Sequence, residues 1–122
     1  MKIPYVNLKL QWKNEKKNLL PIISKIFENG QFVGGNEVEK FENNVKKVCG
    51  TKFAVALNSG TDALTLALHM VGVKRSDEVI TPPNSFISST SAIVRIGARP
   101  VFVDVLKDQN INPGLIEKSI TK

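Results

Sequence analysis

Two short stretches of this chain carry the residue types from which a binding site can be built. Residues 55–66 read VALNSGTDALTL, an apolar run interrupted by Asn58, Ser59, Gly60 and Thr61 before a second apolar run begins. Small, hydroxyl-bearing residues between the end of a strand and the start of a helix leave backbone N–H groups free at the positive end of the helix dipole, where a phosphate binds. Gly60 would let the backbone approach closely, and Ser59 or Thr61 would add a hydroxyl donor. A simple helix cap from Ser59 or Thr61 accounts for the same residues. The turn lacks the lysine of a Walker loop and is not GxGxxG, so a phosphate held here would belong to neither standard nucleotide site. The second stretch is TPPNSFISST, residues 81–90, in which Phe86 stands among polar residues and not in an apolar stripe. It either plugs the space under its loop or stacks on a flat heteroaromatic ring.

The surrounding pattern says what must position these stretches. Residues 15–28 repeat apolar positions with helical spacing, with Pro21 as a restart or kink. NGQFVGGN packs three glycines into eight residues and marks a loop. Asn36 and Glu39 have the spacing of a capping box, and Val38, Phe41, Val45 and Val48 then give one apolar face until Gly50 ends the helix. FAVAL at 53–57 reads as a buried strand, Thr61–Met70 as a helix, EVIT at 78–81 as a strand, and Ser88–Ile96 as a helix. PVFVDV at 100–105 reads as a strand with Pro100 at its first position, and Asn112 with Pro113 as the cap and first residue of a last helix. Strands separated by helices predict an α/β fold with a mostly parallel sheet flanked by helices. Both polar stretches then follow strands, at the carboxyl edge where ligands of open parallel sheets collect.

Composition narrows the function. The 122 residues are 42% hydrophobic and 23% charged, the balance of a globular protein. No apolar run approaches a membrane span and no signal-peptide block opens the sequence, so the expected location is cytoplasmic. The net charge of +6 comes from dispersed lysines without a nucleic-acid reader motif, which suits a small acidic ligand and argues against nucleic acid. The single cysteine, Cys49, excludes an internal disulfide and reads as a small core residue. With His69 the only histidine, a Cys/His zinc site is excluded, and no metal is expected. His69 falls late on its helix and reads as solvent-facing.

Four segments in order, FVGGNEVEKFE, NSGTDALTLAL, DEVITPPNSFISSTSAI and GARPVFVDV, resemble the sugar aminotransferases of the DegT/DnrJ/StrS type. IPYVNLKLQ at the start and NINPGLIEKSIT at the end fit the same pattern. The resemblance implies part of the large domain of an aspartate-aminotransferase-like fold, with pyridoxal 5'-phosphate (PLP) as cofactor. It also implies a nucleotide-linked ketosugar as substrate, glutamate or glutamine as amino donor, and a homodimer. It assigns Gly60, Thr61 and Asp62 to the cofactor-phosphate turn and Phe86 to stacking on the pyridine ring. Val33, Gly34 and Gly35 match a loop near the sugar or near the neighbouring subunit's site. Asp104 reads as a structural strand-end carboxylate.

Members of that family are roughly three times this length, enough for a large domain and a small one. The resemblance therefore implies the amino-terminal portion of an aminotransferase. Residues 1–35 would form an arm, helix and loop, and 36–122 the first part of the PLP-binding large domain. The Schiff-base lysine and the aspartate that pairs with the pyridine nitrogen are expected beyond residue 122, so no catalytic residue is assigned within the chain. A PLP-dependent sugar dehydratase, in which histidine replaces that lysine, and a non-catalytic PLP-binding or interaction domain are the alternatives.

Overall fold

The computed structural model describes residues 3–121. The chain divides into two compact units, one ending at Ala56 and the other starting at Leu57.

The first unit holds two helices. α1 runs Leu8–Asn29, with Asn7 capping it by accepting a hydrogen bond from the Leu10 N–H at 3.0 Å. It starts well before the predicted residue 15, and Pro21 lies inside it without ending it. α2 runs Asn36–Cys49 and stops at Gly50, whose left-handed conformation (φ 64°) closes the helix as expected. Its start differs from expectation. Gly34 and Gly35 both have positive φ, 67° and 90°, a path that favours glycine, and they turn the chain so that Gly35 becomes the cap. Asn36 is then the first helical residue, and no side chain caps the helix. In place of a capping box, Glu37 and Glu39 bias the first turn and Lys46 and Lys47 the last, matching the helix dipole.

FAVAL forms no strand, which corrects the strand expected at 53–57. The alternation is present: Ala54 and Ala56 are half-buried while Phe53, Val55 and Leu57 are exposed. The Ala56 N–H donates to the Glu42 carboxylate at 2.8 Å, so a side chain of α2 satisfies a group that a ladder would otherwise use. Among the described residues no strand lies beside it.

The second unit is a βαβ arrangement with a helix before it and a short one after it. α3 (Gly60–Met70) precedes β1 (Glu78–Thr81); α4 (Ile87–Arg95) then leads to β2 (Arg99–Phe102). The two strands are parallel and in register from Glu78 against Arg99 to Thr81 against Phe102. Pro100 is the second residue of β2 and not the first. The Arg99 N–H donates to the carbonyl of Asp77, just before β1, at 2.8 Å and the Val103 N–H to Thr81 at 3.2 Å, so the Pro100 nitrogen faces away from β1 and no ladder bond is lost. The ladder ends sooner than the predicted 100–105. Val105 instead makes an isolated antiparallel bridge to Ile111. Ala92, Ile93, Ala98 and Val103 form the buried apolar centre where α4 covers the strands. α5 (Pro113–Ile116) begins as predicted, Asn112 accepting from the Gly114 N–H at 3.0 Å, and leads into a 3-10 turn, Glu117–Ser119.

Candidate cofactor site

The turn before α3 is built from Asn58, Ser59, Gly60, Thr61 and Asp62. Ser59 is the cap. Its hydroxyl oxygen accepts from the Asp62 N–H at 3.1 Å, and its proton goes to the Asp62 carboxylate at 2.9 Å. The Ala63 N–H bonds the Ser59 carbonyl at 3.0 Å and closes the first turn. Among the described residues the N–H groups of Ser59, Gly60 and Thr61 have no acceptor. These are orphan donors of a helix start, concentrated at the positive end of the dipole. A Cβ placed on Gly60 would meet no atom within 4 Å, so the space on that side of Gly60 is open.

Thr61 is not the cap. Its hydroxyl meets that of Ser88 at 2.7 Å, which joins the first turn of α3 to the first turn of α4. Two hydroxyls sharing one hydrogen bond use one of their two protons and keep the other as a donor. The second strand-end loop and the first turn are thus brought together as expected, although by a helix-to-helix bond and not by two neighbouring strands.

Asp62 lies in the same first turn. One carboxylate oxygen takes the Ser59 hydroxyl and the other the Arg95 guanidinium, at 2.8 Å. The Ser59 hydrogen bond, then the Arg95 hydrogen bond, hold its carboxyl below the usual carboxylate range. Phe86 immediately precedes α4 and is 77% exposed, so it does not plug the loop. Ser88 and Arg95 were not singled out in the sequence. The hydroxyl run SST at 88–90 is a signal for Ser88, whereas Arg95 meets an acid 33 positions away and has no local signal.

Val33, Gly34 and Gly35 lie in the first unit, in the loop between α1 and α2. Gly34 lines a cleft of about 520 Å³ with Ile22, Phe32 and Val38. The Phe27 and Phe32 rings are 5.3 Å apart at its side. Asp104 accepts from the Val105 N–H at 2.8 Å and its carbonyl from the Asn112 N–H at 2.9 Å, a local structural use. Cys49 is free and exposed, not a core residue; it is the last residue of α2. His69 is exposed, as read. No cluster of metal ligands occurs among the described residues.

Comparison with known proteins decides the family. The model of the DegT/DnrJ/EryC1/StrS aminotransferase family matches residues 13–122. The chain belongs to this family. It is 39% identical over 113 residues to the dTDP-3-amino-3,4,6-trideoxy-alpha-D-glucose transaminase of Micromonospora megalomicea subsp. nigra, covering 92% of this chain and 30% of that protein. Its structure is similar to S. venezuelae DesV in complex with a ketimine intermediate, with a TM-score of 0.92 and 36% identity over 98% of this chain and 33% of that one. It is also similar to the E. coli GDP-4-keto-6-deoxy-D-mannose-3-dehydratase with bound hydrated PLP. There the TM-score is 0.73 and the identity 26%, over 82% of this chain and 28% of that one. The chain spans about a third of the length of the curated relatives it matches. The fold of this DegT-family chain is that of the PLP-dependent aminotransferases, and the family's cofactor is PLP.

The turn fits that cofactor's phosphate. Among the described residues it offers three N–H groups without an acceptor, a spare hydroxyl proton and open space at Gly60, and an exposed aromatic ring immediately precedes the adjoining helix.

Proposed function

We propose that this chain supplies the PLP-binding turn of an aminotransferase that aminates a nucleotide-linked ketosugar, with glutamate or glutamine as donor, in amino-sugar biosynthesis. The observation that carries the reading is the Thr61–Ser88 hydroxyl pair beside the free N–H groups of Gly60 and Thr61. These residues would hold the cofactor phosphate as a dianion. Asp62 completes the turn and Phe86 would cover the pyridine ring, excluding water from one face and fixing its tilt. When bound, PLP supplies the electron sink of the reaction.

The loop Val33–Gly35 would approach the sugar, and residues 36–122 would form the first part of the PLP-binding large domain. The resemblance assigns neither the Schiff-base lysine nor the aspartate for the pyridine nitrogen to a position among residues 1–122. We place the working enzyme in the cytoplasm as a homodimer. No helix among the described residues is long and apolar enough to cross a membrane.

The test is glutamate- or glutamine-dependent amination of a nucleotide-linked ketosugar by a polypeptide that carries these residues together with the lysine. Amination is expected. Removal of a sugar hydroxyl without net amination would favour the second reading, a dehydratase, which rests on the similarity to the E. coli enzyme.

A further inference from the structure

Asp62 presents a difficulty for a phosphate site. A carboxylate in the first turn of a helix competes with any other anion for the positive end of the dipole. In the usual capping arrangement, the acid three residues after a serine cap reaches back to the cap's backbone N–H. Asp62 stands at that position relative to Ser59 but does not do so. Both of its oxygens are engaged elsewhere, one by the Arg95 guanidinium at 2.8 Å and the other by the Ser59 hydroxyl at 2.9 Å. Among the described residues the N–H groups of Ser59, Gly60 and Thr61 have no acceptor. Arg95 comes from the last turn of α4, where a cation also suits that helix's own dipole. The Asp62 side chain is 24% exposed and that of Arg95 54%, and exposed ion pairs of this kind add little to stability. A purely structural role therefore gives the pair little to do.

We propose that Arg95 is a positioning residue for the cofactor phosphate, balancing the charge of Asp62 and keeping its carboxylate off the N–H groups that receive the dianion. Without Arg95, the carboxylate would be an uncompensated negative charge in the same turn, free to take those donors itself. This rests on the reading of the Ser59–Asp62 turn as the PLP phosphate site, and the experiment separates the two.

Dissociation constants for PLP, for pyridoxal (which lacks the phosphate) and for inorganic phosphate are measured by equilibrium dialysis on the intact chain. The chains compared are the unsubstituted one, Arg95→Met, Asp62→Ala and Arg95→Met/Asp62→Ala. Arg95→Met is expected to weaken PLP and inorganic phosphate by about three- to tenfold, less at high salt, and to leave pyridoxal unchanged. Asp62→Ala is expected to bind PLP at least as tightly as the unsubstituted chain. The double variant is expected to recover to within about twofold of it, although the ion pair is gone. A double variant as weak as Arg95→Met, or an Asp62→Ala chain that binds PLP more weakly than the unsubstituted one, overturns the inference and leaves a simple α3–α4 link. The single Asp62→Ala result decides even if Arg95→Met does not fold. A clear preference for PLP over pyridoxal that Arg95→Met leaves intact overturns the inference alone. Equal binding of PLP and pyridoxal by the unsubstituted chain overturns the phosphate reading, and the inference with it.

Discussion

Thr61→Val separates a hydroxyl that only joins two helices from one that also holds an anion. Valine keeps the shape and β-branching of threonine and removes the oxygen that lies 2.7 Å from the Ser88 hydroxyl. In the absence of ligand, the loss is one part-buried neutral hydrogen bond, worth about 0.5–1.5 kcal/mol of stability. With PLP present, the spare proton of the hydroxyl pair serves a charged phosphate, a bond worth about 1.5–3 kcal/mol. With Ser88 donating to Thr61, the spare proton is that of Thr61; Thr61→Val removes it while Ser88 keeps a donor that can partly replace it, so the lower end applies, roughly a tenfold rise in the PLP dissociation constant. Adding Ser88→Ala removes that donor as well and brings the rise towards roughly a hundredfold. Urea denaturation without ligand measures the first effect and equilibrium dialysis of PLP the second. A chain that loses the expected stability and keeps its PLP affinity within about twofold would refute the reasoning, because the hydroxyls would then be a clamp and nothing more.

Phe86→Ala leaves the stability of the ligand-free chain within about 0.5 kcal/mol, since the ring is 77% exposed, and weakens PLP binding; dialysis and urea denaturation check the two halves. Pro21→Ala restores a missing helix donor inside α1 and stabilises that helix by up to about 3 kcal/mol, read as a higher midpoint in thermal denaturation followed by circular dichroism. Asp62, Glu78 and Asp108 all have carboxyls held below their ordinary range. The causes are first the Ser59, Thr121 and Asn110 hydrogen bonds respectively, with Arg95 and Arg99 adding to the first two. Their contribution is therefore complete above the unfolded carboxylate value of about 4 and is lost as pH falls through the lower folded values. Stability measured against pH should decline on that acid limb and less steeply in Asp62→Asn.

What the sequence made legible was local chemistry. Ser59 as a cap, Gly50 as a helix stop and the Asn112–Pro113 helix start each depend on neighbours within a few positions, and each is where the residue types place it. FAVAL alternates in burial, Ala54 and Ala56 against Phe53, Val55 and Leu57, but pairing is a property of a second strand, and the alternation cannot supply one. Asn36 is a good cap by type. It lost that position because two positive-φ glycines before it begin the helix one residue sooner. In the site, Gly60, Thr61, Asp62 and Phe86 were marked by composition and by resemblance. The partners that give them their setting, Ser88 for Thr61 and Arg95 for Asp62, are 27 and 33 positions away and emerge only when α4 packs on α3.

The central claim is that the turn from Ser59 to Asp62 receives the phosphate of PLP. Titrating the isotopically labelled chain with PLP and following backbone amide resonances tests it directly. The account predicts that the largest shifts fall on Ser59, Gly60 and Thr61, with Phe86 and Ser88 next, and that pyridoxal without its phosphate leaves the first three nearly unmoved. Large shifts elsewhere, with the Gly60 and Thr61 amides stationary throughout, would contradict it.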